Sequence, residues 1–260
     1  MTASPSAITK PFSAGGYAYI PNAFQYSSGV AALPGYRLER AVFSRLVPMA
    51  EGFAGIKAHL EALNRPLAAF AACELRSARP FSPDGFREFN QGYAQVLRGW
   101  GIMEGDDNPI ARSNVCPELD PPAESGFHAF TYTVPDASAA PSFLISGGAE
   151  TGAGTAPQER IAAYGDTSAS GLLTKARKTL GEIEQRLAAF GFSWADTTAV
   201  QVYTVHDFHP FFLTEIAARG AASNGLTWHP CRPPVQMVEF EVDCRGIDRE
   251  IVFGTRQHRV

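Results

Sequence analysis

Two arginines sit in matching proline-flanked settings, Pro109-Ile110-Ala111-Arg112-Ser113-Asn114-Val115 and Pro230-Cys231-Arg232-Pro233-Pro234-Val235. A guanidinium offers two parallel N–H donors to a carboxylate, so an arginine repeated in one setting points to an anion clamp. Arg112 is the first choice for that clamp and Arg232 the second. Hydrolytic chemistry on a bound acid also needs a proton shuttle. Glu250 could hold a water as general base, and His128, whose intrinsic pKa lies near neutrality, could do the same. A slip of one residue along a strand would turn either side chain to solvent, and Glu239 and Glu241 on the preceding strand are rival carboxylates. Gly147 either lets a substrate oxygen approach the backbone or simply makes a turn. Asn90 either orients an arginine or caps a local turn. His206, Asp207 and His209 are of metal-ligating types, but Asp207 stands at a strand-to-helix junction, where Asp is a common N-cap. No third-ligand motif accompanies them, so no metal is expected. Nucleophile-elbow, P-loop and dinucleotide-binding patterns are absent from the sequence.

The elements that must position these residues occur twice. Phe53, Ile56, Leu60 and Leu63 have the spacing of a helix with one buried face, and Ile183, Leu187 and Phe190 repeat it at a constant offset from Ile56, Leu60 and Leu63. A β-rich run follows each helix, Leu67 to Leu75 and then Thr197 to Val205. Another helix follows each run. Phe86, Phe89, Tyr93 and Leu97 mark the first, and a segment from about Asp207 to Ala222 is the second. The arginine segments then lead to Gly126 to Val134 and Arg249 to Phe253, each expected to close a hairpin. Strands near Tyr36 to Val47 and Ser142 to Ser146 open the two halves. The unit is β-β-α-β-α-β-β, an antiparallel-rich sheet with both helices on one face, an α+β class. Asp136 to Pro141, rich in Ala, Ser and Pro, is the expected linker, giving domains over 1–135 and 142–260.

Composition sets the outer limits. With 260 residues, 45% hydrophobic and 18% charged, the chain has enough apolar material for two modest cores. A net charge of −4 argues against the basic surface that non-specific nucleic-acid binding requires. No apolar run approaches a membrane span and no signal peptide opens the chain, so a cytoplasmic protein is expected. Cys73, Cys116, Cys231 and Cys244 are widely separated, which suggests reduced thiols and no disulfide framework.

The doubled element order resembles the RidA (YjgF-type) reactive-intermediate deaminases. The resemblance covers most of the chain twice and implies two tandem chorismate-mutase-like domains. In that family a glycine turn, an arginine followed by a small polar residue, an asparagine on the second helix and a carboxylate on the closing strand line a cleft between subunits. Phe143-Leu144-Ile145-Ser146-Gly147-Gly148 matches the glycine turn, Ala111-Arg112-Ser113 the arginine motif, and Phe86-Arg87-Glu88-Phe89-Asn90 the asparagine helix. Position on the final strands puts Glu250, and His128 in the other half, where the family has its acid. Cys231-Arg232-Pro233-Pro234 departs from the pattern by placing Pro233 after the arginine, and the first half lacks the glycine turn. Each half thus carries part of a site. The expectation is a site shared between the first half of one chain and the second half of another.

The resemblance implies a cofactor-free hydrolytic deaminase of an enamine or imine acid, a 2-aminomuconate-type acid or a chlorinated analogue being favoured. Arg112, Ser113, Arg232, Gly147 and Asn90 would bind the substrate, with Glu250 and His128 catalytic. A dicarboxylate would use the further arginines Arg37, Arg40 and Arg45, which could equally be solvated. A chorismatase-type lyase or hydrolase and a non-catalytic acid-binding or protein-binding member of the fold are the rival readings. By analogy with the family, three chains would form two stacked pseudo-trimeric rings.

Overall fold

The computed structural model describes residues 8–253. Thirteen strands are described: β1 (Lys10–Phe12), β2 (Tyr17–Tyr19), β3 (Gly29–Ala32), β4 (Tyr36–Pro48), β5 (Phe70–Arg76), β6 (Ala111–Pro117), β7 (Gly126–Pro135), β8 (Phe143–Ala149), β9 (Ala199–Tyr203), β10 (Thr227–His229), β11 (Cys231–Arg232), β12 (Glu241–Gly246) and β13 (Glu250–Phe253). The helices are α1 (Met49–Ala62), α2 (Pro83–Gly99), the single turn α3 (Pro157–Arg160), α4 (Ala169–Ala189) and the short α5 (His209–Phe211).

The repeat is visible in the pairing. In the first half the order is β4-β7-β5-β6, with β7 antiparallel to both neighbours and β5 parallel to β6. In the second half β8-β12-β9-β10 reproduces that order and those directions. A parallel pair needs a crossover, and α2 supplies it between β5 and β6. Ser82 caps α2 by accepting from the Gly85 N–H at 3.2 Å, and Ser168 caps α4 through Gly171 at the same distance. Ile56 and Leu60 of α1 are buried in one core, and Ile183 and Leu187 of α4 in the other. Leu63 departs from the expected stripe. It lies one residue past α1 and is exposed, because Asn64 takes a positive φ of 53° and ends the helix.

Three sequence expectations change. β7 and β13 do not close hairpins with the strands before them. β7 inserts between β4 and β5, while β13 crosses to the first-half sheet and runs parallel to β4. The segment expected to be one helix from about 207 to 222 breaks into α5, a π turn over 212–216 and a 3-10 turn over 217–219, which ends at Gly220 with φ 86°. Phe208 and Phe211 of this segment pack against Phe240 of the second core, and that anchoring replaces regular helical packing. The third change is the N-terminal hairpin β1-β2-β3, which sequence patterning did not reveal. It extends the second-half sheet, with β3 pairing to β8 through Gly29–Ile145, Val30–Leu144 and Ala31–Phe143. The halves therefore exchange edges, since β11 pairs with β6 on the first sheet.

Candidate active site

Arg112 lies on β6 with its side chain turned toward α2, and it is 1% exposed. Nη2 donates to Asn90 Oδ1 at 2.5 Å, and Asn90 Nδ2 in turn donates to the Phe86 carbonyl at 2.6 Å. Asn90 thus holds the arginine and ties its amide to the preceding turn of its own helix, and it caps no turn. Four rings surround the guanidinium: Tyr93 at 4.8 Å, Tyr26 at 5.0 Å, Phe89 at 5.8 Å and Phe86 at 5.9 Å. Their faces attract the cation, but Nε and Nη1 have no hydrogen-bond partner. A buried donor left unpaired costs about 1–3 kcal/mol, and more when it is charged. An arrangement of this kind is relieved by an anion. Phe89 and Tyr93 also line a cleft of about 650 Å³ beside α1 and α2, with Met49, Phe53, Phe81 and Val96.

The next residue joins the two halves. β6 runs against β8, and the Arg112 N–H donates to Ser146 Oγ at 3.0 Å. Ser113 Oγ accepts from the Gly147 N–H at 3.1 Å and donates to Asp243 Oδ2 at 2.6 Å. Asp243 further accepts from Gln201 at 2.8 Å and from the Tyr203 hydroxyl at 3.0 Å. Gly147 sits within strand β8, not in a turn, and its lack of a side chain has a specific use. A Cβ there would stand 2.0 Å from Glu241 Oε1, so glycine is what admits that carboxyl. Glu241 is buried, and burial together with Asp243 and Glu150 pushes its pKa well above the usual carboxylate range, while Arg186 and Arg76 oppose this. The Tyr26 hydroxyl feels the charges of Arg112, Glu241 and Arg186 together, which places it among them. Arg186 donates to the Ser146 carbonyl at 3.0 Å.

The structure separates the other sequence candidates from this group. Arg232 is paired with Glu118 at 2.8 Å and Glu239 at 3.4 Å, with 36% of its side chain exposed. It lies on β11, whereas the strand in the place of β6 is β10, which carries Thr227, Trp228 and His229. Glu250 is ion-paired to Arg40 at 2.6 Å and Arg245 at 3.3 Å, with its side chain 48% exposed. Glu250 lies on β13 of the first sheet, whereas the closing strand of the second sheet is β12, which holds between β8 and β9 the place of β7 between β4 and β5. The carboxyl on that strand beside Gly147 is Glu241. His128 lies at a register shift on β7, near Arg76, Glu74, Arg40 and His229, and its pKa is lowered to about 4, chiefly by burial. Arg37 pairs with Glu39 and Asp136, and Arg40 with Glu74.

Partners for His206 and His209 also account for the metal pattern. His206 meets Glu239 at 2.9 Å, and His209 meets Asp207 at 2.7 Å. Asp207 accepts from the His209 N–H at 3.0 Å in a local turn ahead of α5, whose N-cap is Phe208 and not Asp207. No cluster of three or more His, Cys, Asp or Glu suited to a metal occurs among the described residues.

A family model described as 2-aminomuconate deaminase CnbZ matches residues 9–251. The 2-amino-5-chloromuconate deaminase of Comamonas testosteroni is 48% identical over 245 residues, covering 93% of this chain and 98% of that protein. Among solved structures, a chorismatase superposes with a TM-score of 0.52 at 12% identity, over 88% of this chain and 77% of the other. That likeness is one of fold.

Proposed function

The chain belongs to the 2-aminomuconate deaminase family, and from that premise we propose that it hydrolyses the C–N bond of 2-aminomuconate or a chlorinated 2-aminomuconate, releasing ammonia at the group around Arg112. The observation that carries the site assignment is the buried Arg112 guanidinium with Nε and Nη1 unpartnered. A planar carboxylate matches two such donors. The clamp would hold the carboxylate next to the carbon that bears nitrogen.

The proposed chemistry follows from the neighbours. Burial disfavours the Glu241 anion and raises its pKa, which favours the acid form as a proton donor. It gives that proton to the carbon end of the enamine, which becomes an iminium. The resulting carboxylate then takes a proton from water as the oxygen bonds to the imine carbon. Glu241 returns that proton to nitrogen and takes the hydroxyl proton as the C–N bond breaks, so that ammonia leaves, a 2-oxo acid remains and the acid form of Glu241 is restored. Ser113 gives its hydroxyl hydrogen to Asp243 and accepts from Gly147, and its remaining lone pair would accept from the attacking water. The contacts of Arg112 and Ser113 with Ser146, Gly147 and Asp243 join the first and second halves within one chain, which supports a site shared between the halves of a single molecule.

The domain limits 1–135 and 142–260, with the sheet edges exchanged, belong to the same reading, as does a homotrimer. Ile251 and Val252, exposed on the edge strand β13, support further association. The four cysteines are unpaired and buried, which supports a reducing compartment such as the cytoplasm. No helix among the described residues is long and apolar enough to cross a membrane.

Freshly generated 2-aminomuconate tests the reading. The protein should release ammonia with loss of ultraviolet absorbance and give no pyruvate from chorismate. Pyruvate from chorismate, with 2-aminomuconate untouched, would refute it.

A further inference from the structure

Lys175 of α4 and Glu150, the residue after β8, form an ion pair whose side chains are both 0% exposed, with Nζ 3.2 Å from Oε1. Stability alone is a poor reason to keep two charges out of water, because apolar side chains of similar volume generally serve a core as well or better. The proposed reaction uses neither residue. Their hydrogen bonds lead to the one it does use.

Glu150 Oε1 accepts from the Glu239 N–H at 2.7 Å, and Oε2 accepts from the Phe240 N–H at 3.1 Å. These two residues immediately precede Glu241, the first residue of β12, and Glu241 itself pairs with Ala149, the neighbour of Glu150. One carboxylate thus fixes the chain where it enters β12. Lys175 Nζ also donates to the Ala162 carbonyl at 3.0 Å, and the Ala162 N–H donates to the Glu150 carbonyl at 2.9 Å. Ammonium and carboxylate are therefore held by a common residue, and α4 is tied to the entry of β12 through them.

The pair also bears on the charge of Glu241. Burial raises the Glu241 pKa most, Asp243 of the same strand and Glu150 raise it further, and Arg186 of α4 and Arg76 of β5 lower it. Tyr26, Cys116 on β6 and Cys231 on β11 feel the Glu241 charge as well. Burial raises the pKa of Glu150 itself, and the Glu239 and Phe240 N–H groups together with Lys175 oppose that rise, favouring its anion.

We propose that Glu150 and Lys175 are positioning residues for Glu241, the carboxylate anchoring the backbone that carries the acid and the ammonium holding that carboxylate in place. The inference rests on Glu241 being the acid of the proposed reaction. Neither residue of the pair touches the reacting atoms.

Steady-state ammonia release from 2-aminomuconate across pH tests it in Glu150→Gln, which keeps an acceptor for only one of the two N–H groups, and in the double variant Glu150→Gln, Lys175→Met, which leaves no buried charge unpaired. Thermal unfolding reports whether each chain is folded. In the folded variants kcat should drop about tenfold to a hundredfold with KM little changed, since the acid is displaced while the Arg112 clamp is untouched. The alkaline fall in kcat should also move to lower pH, because loss of the Glu150 charge eases ionisation of Glu241. A pair that only supports the fold would not move that pH profile. Wild-type kcat, an unmoved alkaline fall, or failure of both variants to fold would overturn the proposal. Glu241→Gln measured in parallel separates its failure from that of the reading beneath it. Full turnover in Glu241→Gln removes Glu241 as the acid, whereas an inactive Glu241→Gln beside a folded double variant of wild-type kcat and pH profile refutes the positioning role alone.

Discussion

Arg112 and Glu241 divide the proposed chemistry, and their substitutions should fail in different ways. Arg112→Gln removes the anion clamp and leaves Asn90 Oδ1 without its donor. A drop in kcat/KM of about a hundredfold to a thousandfold is expected, read by steady-state ammonia release, in line with about 3–4 kcal/mol for a buried charge-assisted pair. Glu241→Gln keeps the shape but not the proton, so kcat should fall by about two to four orders of magnitude with KM little changed. The pH dependence has a definite sign. The folded pKa of Glu241 is raised, so its acid form persists above the usual carboxylate range. Turnover should fall as pH climbs through that raised value. The same shift contributes stability that is full below the unfolded carboxylate value of about 4.3 and lost as pH rises through the folded one, so Glu241→Gln should flatten that fall in thermal midpoint. The sequence held the Arg112–Asn90 pair in readable form, since the arginine motif and the helix were both recognisable. Glu241 was harder to single out, because its part depends on Gly147 standing opposite, a contact between strands far apart in sequence.

At the scale of elements, α1, α4, β4, β5 and β9 follow from periodicity that the sequence displays directly. What periodicity does not carry is which strand pairs with which. Arg232 is placed by its proline-flanked setting and Glu250 by its position on the final strand, and both fall on strands, β11 and β13, that cross to the other sheet. Pro233 beside Arg232 is the visible sign of that departure, because proline removes the N–H a regular ladder would use. The hairpin β1-β2-β3 has strands of only three or four residues, too short for alternation to show. It matters to the site, since Tyr26 lies between β2 and β3 and faces Arg112 at 5.0 Å. Deleting residues 1–32 should expose the β8 edge and remove that ring, giving an aggregation-prone protein without activity. Size-exclusion profile and turnover check this, and an active monomeric deletion would show the hairpin to be dispensable.

For the whole molecule, exchanged edges mean that neither half is closed alone. Fragments cut at Ala139 and made separately should lack a cooperative thermal transition, while co-expression should restore one together with activity. His128 and His229 add an acid limit to stability. Both are held near 4, below the unfolded value, so the unfolded chain gains protons first as pH falls from about 6.5 toward 4. The urea midpoint should decline across that window, and the decline should shrink in the His128→Gln, His229→Gln double variant. The central claim is that one chain unites a clamp from its first half with an acid from its second. Binding and turnover measured together on Arg112→Gln and Glu241→Gln test it most directly. The predicted result is that Glu241→Gln still binds 2-aminomuconate at near wild-type affinity without releasing ammonia, while Arg112→Gln loses that binding. Turnover at wild-type rates in folded Glu241→Gln, or unchanged binding in Arg112→Gln, would contradict it.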